Sequence, residues 1–337
     1  MSEPKHIAVI GAGIAGLSCA KRLQSAGHHV TVFEKSRGAA GRMSTKRGES
    51  ERGEGWQCDT GAQYFTARDP RFHAEVQRWV SLGVASIWSP TFAVFGTAPN
   101  TSHGYRDNES PQRFVGTPRM TAPARLLANT LTIQSQTTIQ AIQREGAHWR
   151  LHSAEHGIIA PSFDAVVLAV PAPQALPLLA AIHSDFAVLA EQIRMRGSWA
   201  FALRYDEPLA LPFQAAFVNE GPLRWVAEDS HKPGRKGSCC WLLHASAEWS
   251  EAHLETTNTE VAEHLIAAFV ALGGRRPDAW SSHRWRYADS EKPLKLGATW
   301  DEQQHLGVCG DWLNGGKVEG AWLSGLNLAE QILSSDT

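Results

Sequence analysis

The chain has 337 residues, with 32 Lys and Arg against 34 Asp and Glu, giving a formal charge of −2. That length allows two domains with a sizeable core, and 43% apolar with 20% charged residues excludes a disordered chain. Balanced charge leaves no electrostatic footprint for nucleic acid or an anionic membrane, so neither is expected as a partner; the oligomeric state stays open.

Five cysteines (Cys19, Cys58, Cys239, Cys240, Cys309) form no CxxC, and the fifteen histidines include no HExxH. Neither a disulfide framework nor a metal site is expected. The first apolar run stops at Gly11, too short for a signal peptide or a membrane span, and the protein is expected to be cytoplasmic.

In chain order, His6 to Ile10 reads as a buried parallel strand, Gly11 to Gly27 as a turn and helix, and Val30 to Phe33 as a second strand. Residues 35–62 are rich in Gly, Arg and Ser and read as one long loop, which inside a compact domain points to function. A helix is predicted near Phe72–Leu82, followed by Pro-, Gly- and Asn-rich connections to about 118, and a second helix at Pro123–Leu131. Ile139–Arg144, His148–His152 and Gly157–Pro161 suggest an antiparallel meander, and Asp164–Val170 a further buried strand. A helix near Gln174–Ile182 precedes strand-like runs at Ser198–Tyr205, Leu223–Glu228, Ser238–Ala245 and Ala279–Tyr287, with a helix near Asn258–Leu272 among them. Leu306–Cys309 and Gly320–Leu333 read as a last strand and helix. The expected fold is α/β: a Rossmann-like dinucleotide-binding domain (1–70, 119–172, 296–337) with an inserted α+β substrate domain (71–118, 173–295) on an antiparallel sheet.

Gly11-Ala12-Gly13-Ile14-Ala15-Gly16 lies between a strand and a helix, and Glu34 ends the second strand. The first glycine makes the turn, the second admits a pyrophosphate to the backbone, and the third lets helix and sheet approach. Glu34 suits a ribose 2′-OH and repels a 2′-phosphate, so the cofactor is FAD or NAD rather than NADP.

Further residues favour FAD through a resemblance. Lys35-Ser-Arg37-Gly38-Ala-Ala-Gly41-Arg42-Met43 is similar to the glycine–arginine segment of flavin amine oxidases, and Asp59-Thr-Gly61-Ala62-Gln63-Tyr64-Phe65 to the turn that follows it. Val167 to Pro171 resembles the strand closing their cofactor domain. Gly310-Asp311-Trp312 and Gly315-Gly316-Lys317-Val318-Glu319-Gly320 resemble their C-terminal flavin segment. The resemblance implies non-covalent FAD held by Gly11 to Gly16, Glu34, Lys35, Gly41, Arg42, Met43, Gly61, Ala62 and Gln63. It also implies that Asp311 meets the ribityl-phosphate arm, with the helix start at Val318 and Glu319 against the flavin pyrimidine. Within that superfamily the chain is most similar to the renalase family in its bacterial forms, on the 37–45 segment, Gly61 to Phe65 and His283-Arg-Trp285-Arg-Tyr287. That implies oxidation of the 2- and 6-dihydro isomers of NAD(P) to NAD(P)+, with dioxygen as electron acceptor and hydrogen peroxide as product.

Period-2 alternation puts His283, Trp285 and Tyr287 on one strand face, and Cys240, Leu242 and His244 together with Trp241 opposite. A face carrying Trp285 and His244 suits a flat nicotinamide ring and its carboxamide, so Tyr64, His244 and Trp285 are the substrate candidates. No GxSxG, nucleophilic cysteine or acid–base pair is found, and hydride transfer from a dihydropyridine to the flavin needs none. Oxidation of a small primary or secondary amine is the alternative; there the resemblance implies a lysine-held water, with Lys292 or Lys295 in the candidate region. A flavin-binding module without turnover is a third reading.

Overall fold

A computed structural model describes residues 3–49, 53, 55–97 and 112–335; part of the predicted connection between 82 and 118 lies outside the described residues. Strand His6–Ile10 is wholly apolar after its first residue, and it lies at the centre of a six-stranded sheet. Parallel partners His29–Glu34 and Ala165–Leu168 flank it, followed outward by Thr132–Ser135 on one side and Leu306–Val308 on the other. Thr299–Asp301 closes the second edge in antiparallel register. Segments from both ends of the chain therefore build one doubly covered sheet, which is why its strands read as continuous apolar runs.

Helix Ile14–Ser25 crosses from the first strand to the second, and helix Lys317–Ser335 packs along it. The two backbones approach closely at Gly325, where a Cβ would run into the carbonyl of Ala15. Ile139–Glu145, His148–Ser153 and Gly157–Phe163 form the predicted three-stranded antiparallel meander.

A second six-stranded sheet has the order Ala279–Ser290, Met195–Tyr205, Cys239–Ala245, Leu223–Glu228, Ala215–Val218, Phe92–Phe95, antiparallel except for the last pair. Its alternation gives two apolar faces. Trp199, Phe201, Leu203, Trp241 and Leu243 pack on helix Asn258–Ala271 through Val261, Leu265 and Phe269. Ala200, Ala202, Trp225, Ala227, Cys240 and Leu242 face the other way and join the core beneath the nucleotide-binding sheet. Trp241 thus lies opposite Cys240 and Leu242, as alternation predicts.

Several features depart from the sequence reading. The supposed loop 35–62 contains a hairpin, Thr45–Glu49 with Gly55–Asp59. Its first strand has no apolar residue to reveal it; burial comes from Trp56 and Cys58 on the second. Helix Ser184–Glu191 was not predicted. Nor were the edge strand Thr132–Ser135 or the parallel pair Phe92–Phe95 and Ala215–Val218, whose partners are distant in sequence. Finally, Tyr287 does not accompany Trp285. Arg196 pairs with Asp289 but Ser198 with Trp285, so a bulge breaks the alternation and Tyr287 packs in a different apolar cluster. Among the described residues no helix is long and apolar enough to cross a membrane.

Candidate active site

The first helix begins at Gly13 with no side-chain cap, so its opening N–H groups are left for a ligand. Gly11 has φ +108°, and a Cβ there would lie 2.6 Å from the carbonyl oxygen of Ala169. A Cβ on Gly16 would strike the Gly11 carbonyl, whereas one on Gly13 meets nothing within 4 Å. The open side of Gly13 is the space a pyrophosphate needs, while Gly11 and Gly16 keep strand, turn and helix together. Glu34 reinforces the turn: its carboxylate accepts from the N–H of Ala12 at 2.9 Å and of Ser36 at 2.8 Å.

The 37–43 segment folds back over this turn. Ala40 donates its N–H to the Ala12 carbonyl at 2.9 Å, and a Cβ on Gly41 would stand 3.2 Å from Gly13 Cα. Met43 is buried and Lys35 exposed. The Arg42 carbonyl accepts from Ala62 N–H at 2.9 Å, and a Cβ on Gly61 would collide with that same carbonyl. The Arg42 guanidinium reaches across to both carboxylate oxygens of Asp311, at 2.5 and 3.0 Å, and to the Ala288 carbonyl at 3.2 Å. Two residues expected at the cofactor are therefore partners of each other. Gly315 (φ +72°), Gly316 (φ +76°) and Lys317 (φ +65°) turn the chain into helix Lys317–Ser335. Val318 is buried at its start, and the Glu319 carboxylate holds the N–H groups of Arg68 and Asp69 at 2.6 and 2.7 Å.

Besides the Arg42–Ala288 bond, the second sheet meets this cradle at the Thr60 carbonyl. The Thr60 carbonyl accepts from Trp285 Nε1 at 2.8 Å and from His244 Nε2 at 3.0 Å. Since a carbonyl only accepts, His244 carries its proton on Nε2. Burial lowers the His244 pKa to about 4, assisted by Arg224 and Lys232 and opposed by the Thr60 bond, so the ring is neutral near pH 7. His283, two residues from Trp285 with ring centroids 4.2 Å apart, is also pushed down, by burial and then by Lys46. Ala200 pairs with His244 on one side and His283 on the other, a small residue between two rings. Tyr64 extends the wall, 5.6 Å from Trp225 and 6.3 Å from Trp88, with the Arg113 guanidinium 5.3 Å from its ring. All three substrate candidates therefore lie at the junction of cradle and sheet.

Sequence reasoning missed the ionic cluster beneath this wall. Lys232, fully buried, gives its three hydrogens to Asp229 at 2.7 Å, Asp59 at 3.1 Å and the Gln63 amide oxygen at 3.2 Å. Arg235 binds Asp59 as well, and Thr45 donates its hydroxyl to Asp59 at 2.6 Å. Burial alone would raise the Asp59 carboxyl, but Lys232 and Arg235 hold it at about 2. Asp229 is pushed up, by burial and then by the charge of Asp59. Burial opposes the Lys232 charge, but Asp229 and Asp59 outweigh it and raise its pKa. The cluster consumes the Gln63 side chain, whose amide nitrogen binds the Asp59 carbonyl at 2.5 Å. Only the run Asp229-Ser-His-Lys232-Pro-Gly-Arg235 hinted at it, and a charge run ordinarily reads as a solvated turn. Lys292 and Lys295, expected near the site for amine chemistry, are both exposed.

The Flavin containing amine oxidoreductase family pattern matches residues 100–333, and an NAD(P)-binding Rossmann-like domain pattern matches residues 9–79. The chain belongs to the flavin containing amine oxidoreductase family, and its cofactor is FAD. The L-amino-acid oxidase of Bothrops pauloensis is 42% identical over 79 residues, and that of Vipera ammodytes ammodytes 43% over 79. The first match spans 23% of this chain but 14% of that enzyme. Two solved structures share the fold over 98% of this chain and 99% of theirs. One is a provisionally assigned protoporphyrinogen oxidase from Exiguobacterium sp. 255-15 (TM-score 0.76, 13% identity), the other putrescine oxidase (0.71, 12%). An oxidoreductase from Methanosarcina mazei matches over 96% of this chain with TM-score 0.67 and 17% identity.

The residues fit FAD: an uncapped helix start, open space at Gly13 and a carboxylate at the strand end lie where an adenosine diphosphate half is held. The turn at 315–317 presents the N–H groups of a second long helix.

Proposed function

We propose that the chain is a cytoplasmic FAD-dependent oxidase of the 2- and 6-dihydro isomers of NAD(P), of the renalase type, forming NAD(P)+ and passing electrons to dioxygen to give hydrogen peroxide. FAD supplies the hydride acceptor; the protein must bind the dihydropyridine ring, orient it and keep water out. The observation that carries the reading is the state of the polar groups on the sheet face. His244 and Trp285 are both tied to Thr60, His244 is neutral, and Lys232 has given all its hydrogens to protein acceptors. What remains around His244 and Trp285 is a flat aromatic face whose two polar groups are neutral and tied to the flavin-side loop, suited to a ring that loses hydride with no proton to remove.

Amine oxidation is the second reading, favoured by the family. Anaerobic mixing of the yellow holoenzyme with 2-, 4- and 6-dihydro-NAD(P), beside a panel of primary and secondary amines, separates the two. The 2- and 6-dihydro forms should bleach the flavin fast and the 4-dihydro form far more slowly, because an ångström of misplacement costs about a hundredfold. One hydrogen peroxide per turnover should follow in air. Fast bleaching by an amine, with none by any dihydropyridine, would replace the first reading by the second.

A further inference from the structure

We propose that Trp225 and His244 form a subsite for a primary carboxamide, the indole donating to its oxygen and the imidazole accepting from its NH2 group. The inference rests on the reading above, that a nicotinamide-type ring occupies this face, and adds the residues that select the ring's substituent.

Trp225 and His244 are direct partners across neighbouring antiparallel strands, so their side chains leave the same face with Cβ atoms about 5 Å apart. A bulge between Leu223 and Trp225 kinks the strand at this pair, a device common beside active sites. Trp225 is 4% exposed, packed against Phe217 (4.9 Å), Tyr64 (5.6 Å) and Phe92 (6.1 Å). Its Nε1 is buried and meets no acceptor among the described residues. Such an orphan is costly unless something fills it, and an indole N–H can only donate.

His244 supplies the complementary half. With Nε2–H committed to Thr60, Nδ1 is left as an acceptor and meets no donor among the described residues. One donor beside one acceptor matches the C=O and NH2 of a primary amide. A carboxylate would face the Nδ1 lone pair with an oxygen, and a methyl ketone would satisfy Trp225 but not His244. Holding both amide groups also fixes the rotation of the ring in its plane, on which the choice among ring carbons depends.

The test uses non-turnover ligands on the holoenzyme, titrated by perturbation of the flavin absorbance: the oxidised dinucleotides carrying nicotinamide, 3-acetylpyridine and nicotinate rings. Wild type should bind the nicotinamide form about tenfold more tightly than the acetylpyridine form, and the nicotinate form most weakly. Trp225→Phe should weaken nicotinamide and acetylpyridine alike by about tenfold and leave their ratio intact. His244→Phe should bring that ratio close to one. Each ratio is taken within one variant, so a general loss of affinity or of FAD does not imitate the pattern. Equal binding of nicotinamide and nicotinate in wild type, an unchanged ratio in His244→Phe, or wild-type affinity in Trp225→Phe would overturn the subsite. If the ligand pattern holds while no dihydropyridine bleaches the flavin, the oxidase reading fails and the subsite stands; the reverse result removes the subsite alone.

Discussion

The cofactor cradle and the aromatic sheet face are built from different materials. Gly11, Gly13, Gly16, Gly41 and Gly61 form the cradle with backbone and with the absence of side chains, in segments close together in sequence. The face is made of Trp225, His244 and Trp285, brought together by strand register and two bulges, with Tyr64 added from the loop after Gly61. The cradle is defined by what cannot be added, and the face by what happens to stand opposite. They are joined by the Thr60 carbonyl, the Asp59–Lys232 cluster and the Arg42 guanidinium.

Two neighbouring glycines test the cradle most sharply. Gly16→Val drives a side chain into the Gly11 carbonyl and towards Ala169, whose Cβ is 3.0 Å from the first added atom, so soluble folded protein should be lost. Gly13→Val enters open space. It should leave a folded protein with wild-type far-UV circular dichroism but almost no FAD, measured by visible absorbance per polypeptide. Retained FAD in Gly13→Val would mean that the open space is not the pyrophosphate's.

This difference in material explains what was legible in sequence. The cradle, its strands and its helices follow from local signals: apolar β-branched runs, glycine spacing and Glu34 at a strand end. Alternation and resemblance single out Trp285 and His244 as candidates. Their shared acceptor was hidden, because nothing in residues 59–61 announces that one carbonyl will take both. The bulge that removes Tyr287 and the parallel pairing of Phe92–Phe95 depend on non-local partners. Lys232 was missed because its neutralising partners include Asp59, far away in the sequence.

The buried cluster is the strongest of the three joints. Lys232→Met leaves Asp59 and Asp229, both fully buried, sharing only Arg235. Removing one member of a buried ion network costs about 3–5 kcal/mol. Chemical denaturation of the holoenzyme should show that loss, with the signal of Tyr64 in the 59–64 region perturbed first. A loss below about 1 kcal/mol would place the cluster among solvated surface pairs.

The His244 joint is weaker and pH-dependent. Its folded pKa, about 4, lies below the ordinary value of 6.5, so the unfolded chain binds more protons between those limits. Stability should therefore rise with pH through this window and fall as pH drops from 6.5 towards 4, by up to about 3 kcal/mol from this group. Urea unfolding between pH 4.5 and 7 should give a flatter curve for His244→Phe than for wild type. Parallel curves would show that His244 is not held neutral by its burial and its bond to Thr60.

The weakest joint is Arg42, whose side chain is 31% exposed against 8% for Asp311. Two parallel N–H···O bonds need a planar guanidinium, and a third bond to Ala288 ties the same group to the bulged strand carrying Trp285. Arg42→Lys keeps the charge but cannot reach both oxygens and the carbonyl together. Partial exposure admits water and salt, so the expected cost is about 1 kcal/mol, smaller still at high ionic strength. Its more telling effect is on coupling. If Arg42 links cradle to face, the lysine variant should weaken nicotinamide dinucleotide binding while FAD content stays near wild type. Loss of FAD with unchanged dinucleotide affinity would assign Arg42 to the cradle alone, leaving Thr60 and the buried cluster to hold the two regions together.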